Sequence, residues 1–176
     1  MKIYHFIKLA IFIVFSSLVF VFRKDLLMNL HYLVGSLILL YGAEETLVFT
    51  IVFKKAAYTK FWFIFGLIEA MIGIIVLCSI RDYTSVCVIW ALWSILREAV
   101  EIYEITSGEV KGLAAVISAV ESLVAITFSI LLMVTPGEHH AKTHIYLLII
   151  ELIVTALVPV LRELAQNKKN SNENIE

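Results

Sequence analysis

Six apolar stretches, each near the length needed to cross a bilayer, leave this chain few ways to fold. They run over about 5–22, 28–53, 60–80, 84–106, 112–135 and 144–163. A helix needs roughly 20 apolar residues to span hydrocarbon, and in lipid the backbone must satisfy its own polar groups, which helices do within one segment. The breaks are charged or turn-forming: Arg23-Lys24-Asp25, Lys54 to Lys60, Arg81-Asp82, Ser107 to Lys111, and Pro136 to Lys142. Composition agrees, since 61% of residues are hydrophobic and only 16% charged, where a soluble domain carries about a quarter charged. The expected fold class is an all-α polytopic membrane protein with six transmembrane helices arranged as three repeated hairpins.

The first run could be mistaken for a secretory signal. It is longer than a usual signal core, lacks a small-residue cleavage site before Arg23, and is followed by more apolar helices, so it reads as a retained span. Residues 1–165 are expected to form one transmembrane domain with hairpins at about 1–55, 56–107 and 108–165. The polar stretch 166–176 is expected to be a disordered tail. Nine basic residues (Lys2, Lys8, Lys54, Lys55, Lys60, Lys111, Arg162, Lys168, Lys169) fall on the side of both termini, against four (Arg23, Lys24, Arg81, Lys142) on the other. That bias puts both termini in the cytoplasm. Tyr58 and Trp62 then sit near the inner boundary as interface anchors.

The division into hairpins has an echo in the acids. Glu45, Glu98 and Glu151 are spaced by 53 residues, on the second, fourth and sixth spans, while Ser17, Glu69 and Glu121 are spaced by 52 on the odd ones. A period of this size is expected of a duplicated unit.

Charges inside the spans are the unusual feature. In the segment 90–104, Trp90, Trp93, Arg97, Glu101 and Glu104 recur at three- and four-residue steps and form one helical stripe, with Glu98 at its edge. A charge at the centre of a membrane helix costs about 2.5 to 3.5 kcal/mol and belongs inside the bundle. Arg97 is expected to be held by acids, with Glu101 one turn on as the first partner and Glu69 or Glu121 completing the site. Glu44, Glu45, Glu69, Glu98, Glu101, Glu121 and Glu151 all lie within spans, and this excess cannot all be paired with one arginine. Unpaired carboxyls in a low dielectric are costly as anions, so several are expected to be carried protonated. Two readings follow: neutral hydrogen-bonding contacts between helices, or a path for protons or cations. The first is favoured because no span has the Gly or Pro interruptions of transporter sites.

The segment Gly137 to His144 holds three histidines. If the sixth helix starts early, His140 and His144 share a face, with His139 and Glu138 as further candidate ligands for a metal or as groups that gain charge in external acid. An exposed loop with incidental histidines is the simpler reading. Cys78 and Cys87 flank the Arg81-Asp82 turn and are expected to be free thiols. No Gly-rich phosphate loop, nucleophile elbow or His-Glu-Xaa-Xaa-His is present, so neither enzyme chemistry nor a cofactor is expected. A net charge of -1 gives no footprint for nucleic acid. The expected partner is the lipid bilayer, with a second copy or another membrane protein as candidates, and no substrate is readable.

Trp93-Ser-Ile-Leu-Arg97-Glu-Ala-Val-Glu101-Ile resembles the Trp-containing, Arg-Gly-then-acid helix of the HdeD-like acid-resistance membrane proteins. Val116-Ile-Ser-Ala-Val-Glu121, Thr135-Pro136 and Ile149-Ile-Glu151-Leu-Ile resemble the last hairpin of that family, so the likeness covers about residues 60–162. Glu98, Ser118 and Ile149 stand where that family often has Gly. The resemblance implies six helices built from repeated hairpins, a multi-pass place in the bacterial cytoplasmic membrane, a link to acid or other stress, and no assigned catalytic residue.

Overall fold

A computed structural model describes residues 2–52, 59–107 and 112–173. Lys54, Lys55, Tyr58, Lys111 and residues 174–176 lie outside the described residues, as do the side chains of Lys2, Lys60, Trp62, Glu104, Arg162, Lys168 and Lys169. Six helices follow in order: α1 (Lys2–Met28), α2 (Leu30–Val52), α3 (Thr59–Ser79), α4 (Tyr83–Thr106), α5 (Leu113–Val134) and α6 (Glu138–Glu173). No strand occurs among the described residues. Two stretches among them, Phe6–Met28 and Ala115–Val134, are long and apolar enough to cross a membrane, and Phe63–Ser79 is a shorter apolar helix.

Three boundaries differ from the sequence expectation. The Arg23-Lys24-Asp25 cluster does not break the chain, because α1 runs through it to Met28. Arg and Lys are good helix formers, and Arg23 donates to the Phe20 carbonyl at 2.7 Å while lying over its ring. The turn falls at Asn29, whose side chain donates to Asp25 O. Second, α6 starts at Glu138, directly after Pro136-Gly137, so the histidines are helical rather than in a loop. Ala141 N–H closes the first turn on Gly137 O, and Glu138 puts negative charge where the helix dipole favours it. Third, the tail expected to be disordered is helical as far as Glu173, with neither Gly nor Pro after Pro159 to stop it.

Side-chain contacts set the arrangement. Lys8 meets Glu44, and Phe12 meets Tyr41, so α1 and α2 run antiparallel. Tyr41 touches Trp93 and Glu151, and Trp90 touches His144, so the even-numbered helices α2, α4 and α6 face one another. Their inward residues, among them Leu33, Leu37, Trp90, Ile145 and Leu148, make up most of the core. The odd-numbered helices turn large apolar side chains outward, such as Val21 on α1, Met71 on α3 and Leu123 on α5.

The densest packing joins each even helix to the next odd one: α2 with α3, α4 with α5, and α6 with α1. The unit is thus shifted from the hairpins drawn on the sequence. Small residues explain the first pair. A Cβ at Gly42 would lie 2.4 Å from Ala70 N, and one at Gly73 would lie 2.5 Å from Leu39 N, so the two backbones touch. Such close approach is how helices gain dispersion contact without a hydrophobic drive from lipid. On α4 and α5, Ser94, Ser118, Ser122 and Ser129 are small side chains that are also buried.

Candidate functional site

Arg97 projects from the buried face of α4 toward α2 and α3. Its Nη1 forms a tight ion pair with Glu45 Oε1 from α2 and lies 3.4 Å from both carboxylate oxygens of Glu69 from α3. Trp93, one turn earlier on α4, donates its indole N–H to Glu69 Oε1 at 2.8 Å. The guanidinium plane lies 4.3 Å from the centroid of the Tyr41 ring and 5.9 Å from that of Trp93. Two carboxylates and two aromatic faces therefore hold one cation, which is the combination guanidinium prefers over ammonium.

Glu101, expected as the first partner, makes no bond to Arg97. Helix geometry gives the reason. Side chains lean toward the N-terminus of their helix, so Arg97 reaches back to the level of Trp93. Four residues on, Glu101 is rotated about 40° further, toward the side of Glu98 and away from α3. Glu69 does bind Arg97, as expected of it, and Glu121 does not. Glu45 is the partner that the sequence reading had left among the unpaired acids.

The remaining acids gather on the other side of α4. Glu98 is 2% exposed and faces α5, where Ser122 lies beside its carboxyl. Glu101 is in electrostatic reach of Glu98, both are in reach of Glu121, and all three are in reach of Glu151 from α6. Tyr41 links the halves: its ring covers Arg97, and its hydroxyl donates to Glu151 Oε1 at 3.5 Å. Glu98 Oε2 and Glu121 Oε1 are buried without a hydrogen-bond partner. Glu44 is engaged by Lys8 at 3.2 Å, nearer the N-terminal end of α1. Arg97 is thus held by one pair of acids while a second group of four has no base bonded to it among the described residues.

The histidines diverge. His144 is buried with its ring 4.5 Å from that of Trp90 and its Nδ1 unpartnered, whereas His139 is exposed and meets the His140 ring edge-on. Among the described residues no group of three or more His, Cys, Asp or Glu is placed to hold a metal ion, so the candidate metal site at His139, His140 and His144 is not assembled. Cys78 is exposed, Cys87 is buried, and both are free. One more concavity lies between α3 and α4: a groove of about 340 Å³ lined by Ile72, Ile75, Ile89 and Leu96, with Glu69 and Trp93 at its base.

Comparison of the chain with protein-family models, with curated proteins and with solved structures finds no match.

Proposed function

We propose that this chain is a non-enzymatic, multi-pass protein of the bacterial cytoplasmic membrane, with six spans and both termini inside, whose buried acids exchange protons. The observation that carries the reading is the group Glu98, Glu101, Glu121 and Glu151, set between helices with no base bonded to it among the described residues while Arg97 is engaged elsewhere. Such a group is costly as four anions, so protonation and helix packing are coupled. The outward apolar faces of α1, α3 and α5 support a lipid surround. A role in acid or other stress tolerance, of the HdeD-like type, is the function that this coupling suits.

Proton-coupled transport or a small channel is the second reading, favoured by the unpartnered oxygens on Glu98 and Glu121. Flux through proteoliposomes separates the two. Wild-type protein is expected to pass neither protons nor small cations, and Glu98→Gln and Glu101→Gln to leave that unchanged while flattening the pH dependence of unfolding in detergent. Proton flux in the wild type that both variants abolish replaces the first reading by the second. A pH dependence of unfolding identical in wild type and both variants overturns the coupling.

A further inference from the structure

α3 and α4 follow one another through a turn of three residues, Ile80, Arg81 and Asp82, yet they pack on each other far less than on their other neighbours. α3 leans on α2 through Gly66, Ala70 and Gly73, and α4 leans on α5. Glu69 joins the two helices at depth, bonded to Trp93 and Arg97. Outside that contact lies the groove of about 340 Å³. Its walls include Ile68, Ile75, Leu92 and Leu96, each about half exposed, so it opens on the outer surface of the bundle.

The shape of the groove selects its occupant. Its lining runs along α3 from Phe65 to Ile80, about 22 Å of helix rise. Spread over that length, the volume leaves a cross-section of about 15 Å². That is close to one aliphatic chain, about 4 Å across at van der Waals contact, and far below a helix, about 10 Å across. A helix from a second copy would also need small residues at which to approach, and those of α3 are spent on α2. The walls offer aliphatic and aromatic carbon, and the polar atoms at the base, Glu69 Oε1 and Trp93 Nε1, are bonded to each other. An alkyl chain therefore enters without leaving a polar group unpaired. The length exceeds the half-thickness of the hydrocarbon core, about 15 Å, so a chain entering from the turn end can lie wholly within it.

Charge at the turn end selects the headgroup. Arg81 directly follows the lining residue Ile80, is exposed, and has no ion pair among the described residues. Its neighbour Asp82 is engaged by Ser85 as the cap of α4. A guanidinium left open beside an apolar slot suits a phosphate, which it can meet with two parallel hydrogen bonds.

We propose that the α3–α4 groove binds one anionic phospholipid of the surrounding bilayer, its acyl chain lying along Ile75, Ile72 and Ile68 toward Trp93 and its phosphate held by Arg81. The inference rests on the reading of the chain as a membrane protein, and the test separates the two.

The full chain carrying Trp62→Phe would be reconstituted into phosphatidylcholine vesicles containing rising fractions of phosphatidylglycerol brominated on its acyl chains, with brominated phosphatidylcholine as control. Tryptophan quenching is read, with Trp93 reporting on the groove and Trp90 lying in the core. Brominated phosphatidylglycerol is expected to quench in a saturable step at a several-fold lower fraction than brominated phosphatidylcholine. Arg81→Gln is expected to reduce that preference about fivefold, the effect of one basic residue near anionic lipid. Ile68→Phe with Ile75→Phe, which narrows the groove, is expected to remove the step. Ile64→Phe with Ile74→Phe, on exposed positions of α3 outside the lining, is expected to leave it. Equal quenching by the two lipids, an unchanged preference in Arg81→Gln, or equal losses in the two phenylalanine pairs overturns the site. If the groove pair fails to fold, Arg81→Gln decides. A wild-type chain that does not float with the vesicles overturns the membrane reading and the site together, whereas an embedded chain without headgroup preference overturns the site alone.

Discussion

Arg97 owes its place to its partners more than to its own helix. Removing Glu45 leaves a buried guanidinium bonded to Glu69 alone among the described acids, and breaking such a buried pair typically costs about 3 to 5 kcal/mol. Glu45→Leu and Arg97→Met are each expected to destabilise the protein in detergent, and the double replacement to cost clearly less than their sum. The same cycle on Arg97 and Glu101 is expected to be additive, since the two are not bonded. A coupling for Glu101 as large as that for Glu45 would mean that the site is drawn with the wrong acid. At the α3–α4 turn, exposed Asp82 caps α4: its Oδ2 accepts the backbone N–H and hydroxyl of Ser85 at 2.8 and 2.7 Å. Those two hydrogen bonds hold the Asp82 carboxyl below its usual value. A folded-state value below the unfolded one means that the cap stabilises above the unfolded value and is lost as pH falls through the folded one. Asp82→Ala is therefore expected to be less stable than wild type at neutral pH, with the gap closing in strong acid. An equal gap at both ends of a pH series of unfolding curves would remove the cap from the account.

At the scale of elements, the α2–α3 contact is the most constrained. Any side chain at Gly42 meets the backbone of Ala70 and Gly66, and backbone cannot move aside as a flexible side chain can. Gly42→Leu is expected to push the helices apart and to cost at least the 1 to 3 kcal/mol typical of overpacking. Gly137→Ala serves as the control, because the nearest atom to an added Cβ there is 3.8 Å away. Unfolding in detergent should separate the two widely, and similar midpoints would show that the helices are not in backbone contact. The two thiols report on α3 and α4 in the same way. Cys78 is expected to react with a small maleimide in the folded protein, and Cys87 only after unfolding.

For the whole molecule, the proposed six spans with both termini inside make a labelling prediction. Single cysteines at Lys55, Lys111 and Lys168 are expected to react only from the cytoplasmic face, and one at His140 only from outside. Labelling of His140→Cys from the cytoplasmic side alone would invert or break the topology. The molecule's layering bears on this, because the even-numbered helices hold the core and the polar seam while α1, α3 and α5 present apolar faces outward.

Much of this was legible in the chain before any coordinates. The six helices were, because apolar run length and turn residues act locally, and so was the burial of Arg97, because a charge in an apolar helix has nowhere else to go. The end of α1 at Met28 and the start of α6 at Glu138 differ from that reading, since charged and histidine-rich segments are polar without being helix breakers. What only the tertiary structure decided was partnership: that Glu45 rather than Glu101 holds Arg97, that α2 packs on α3 through glycine, and that Glu98 and Glu121 each keep a buried carboxylate oxygen without a hydrogen-bond partner. Each successive residue turns about 100° around its helix. The order and rotation of six helices therefore select among seven acids, and those are properties of the packed bundle that no local pattern carries.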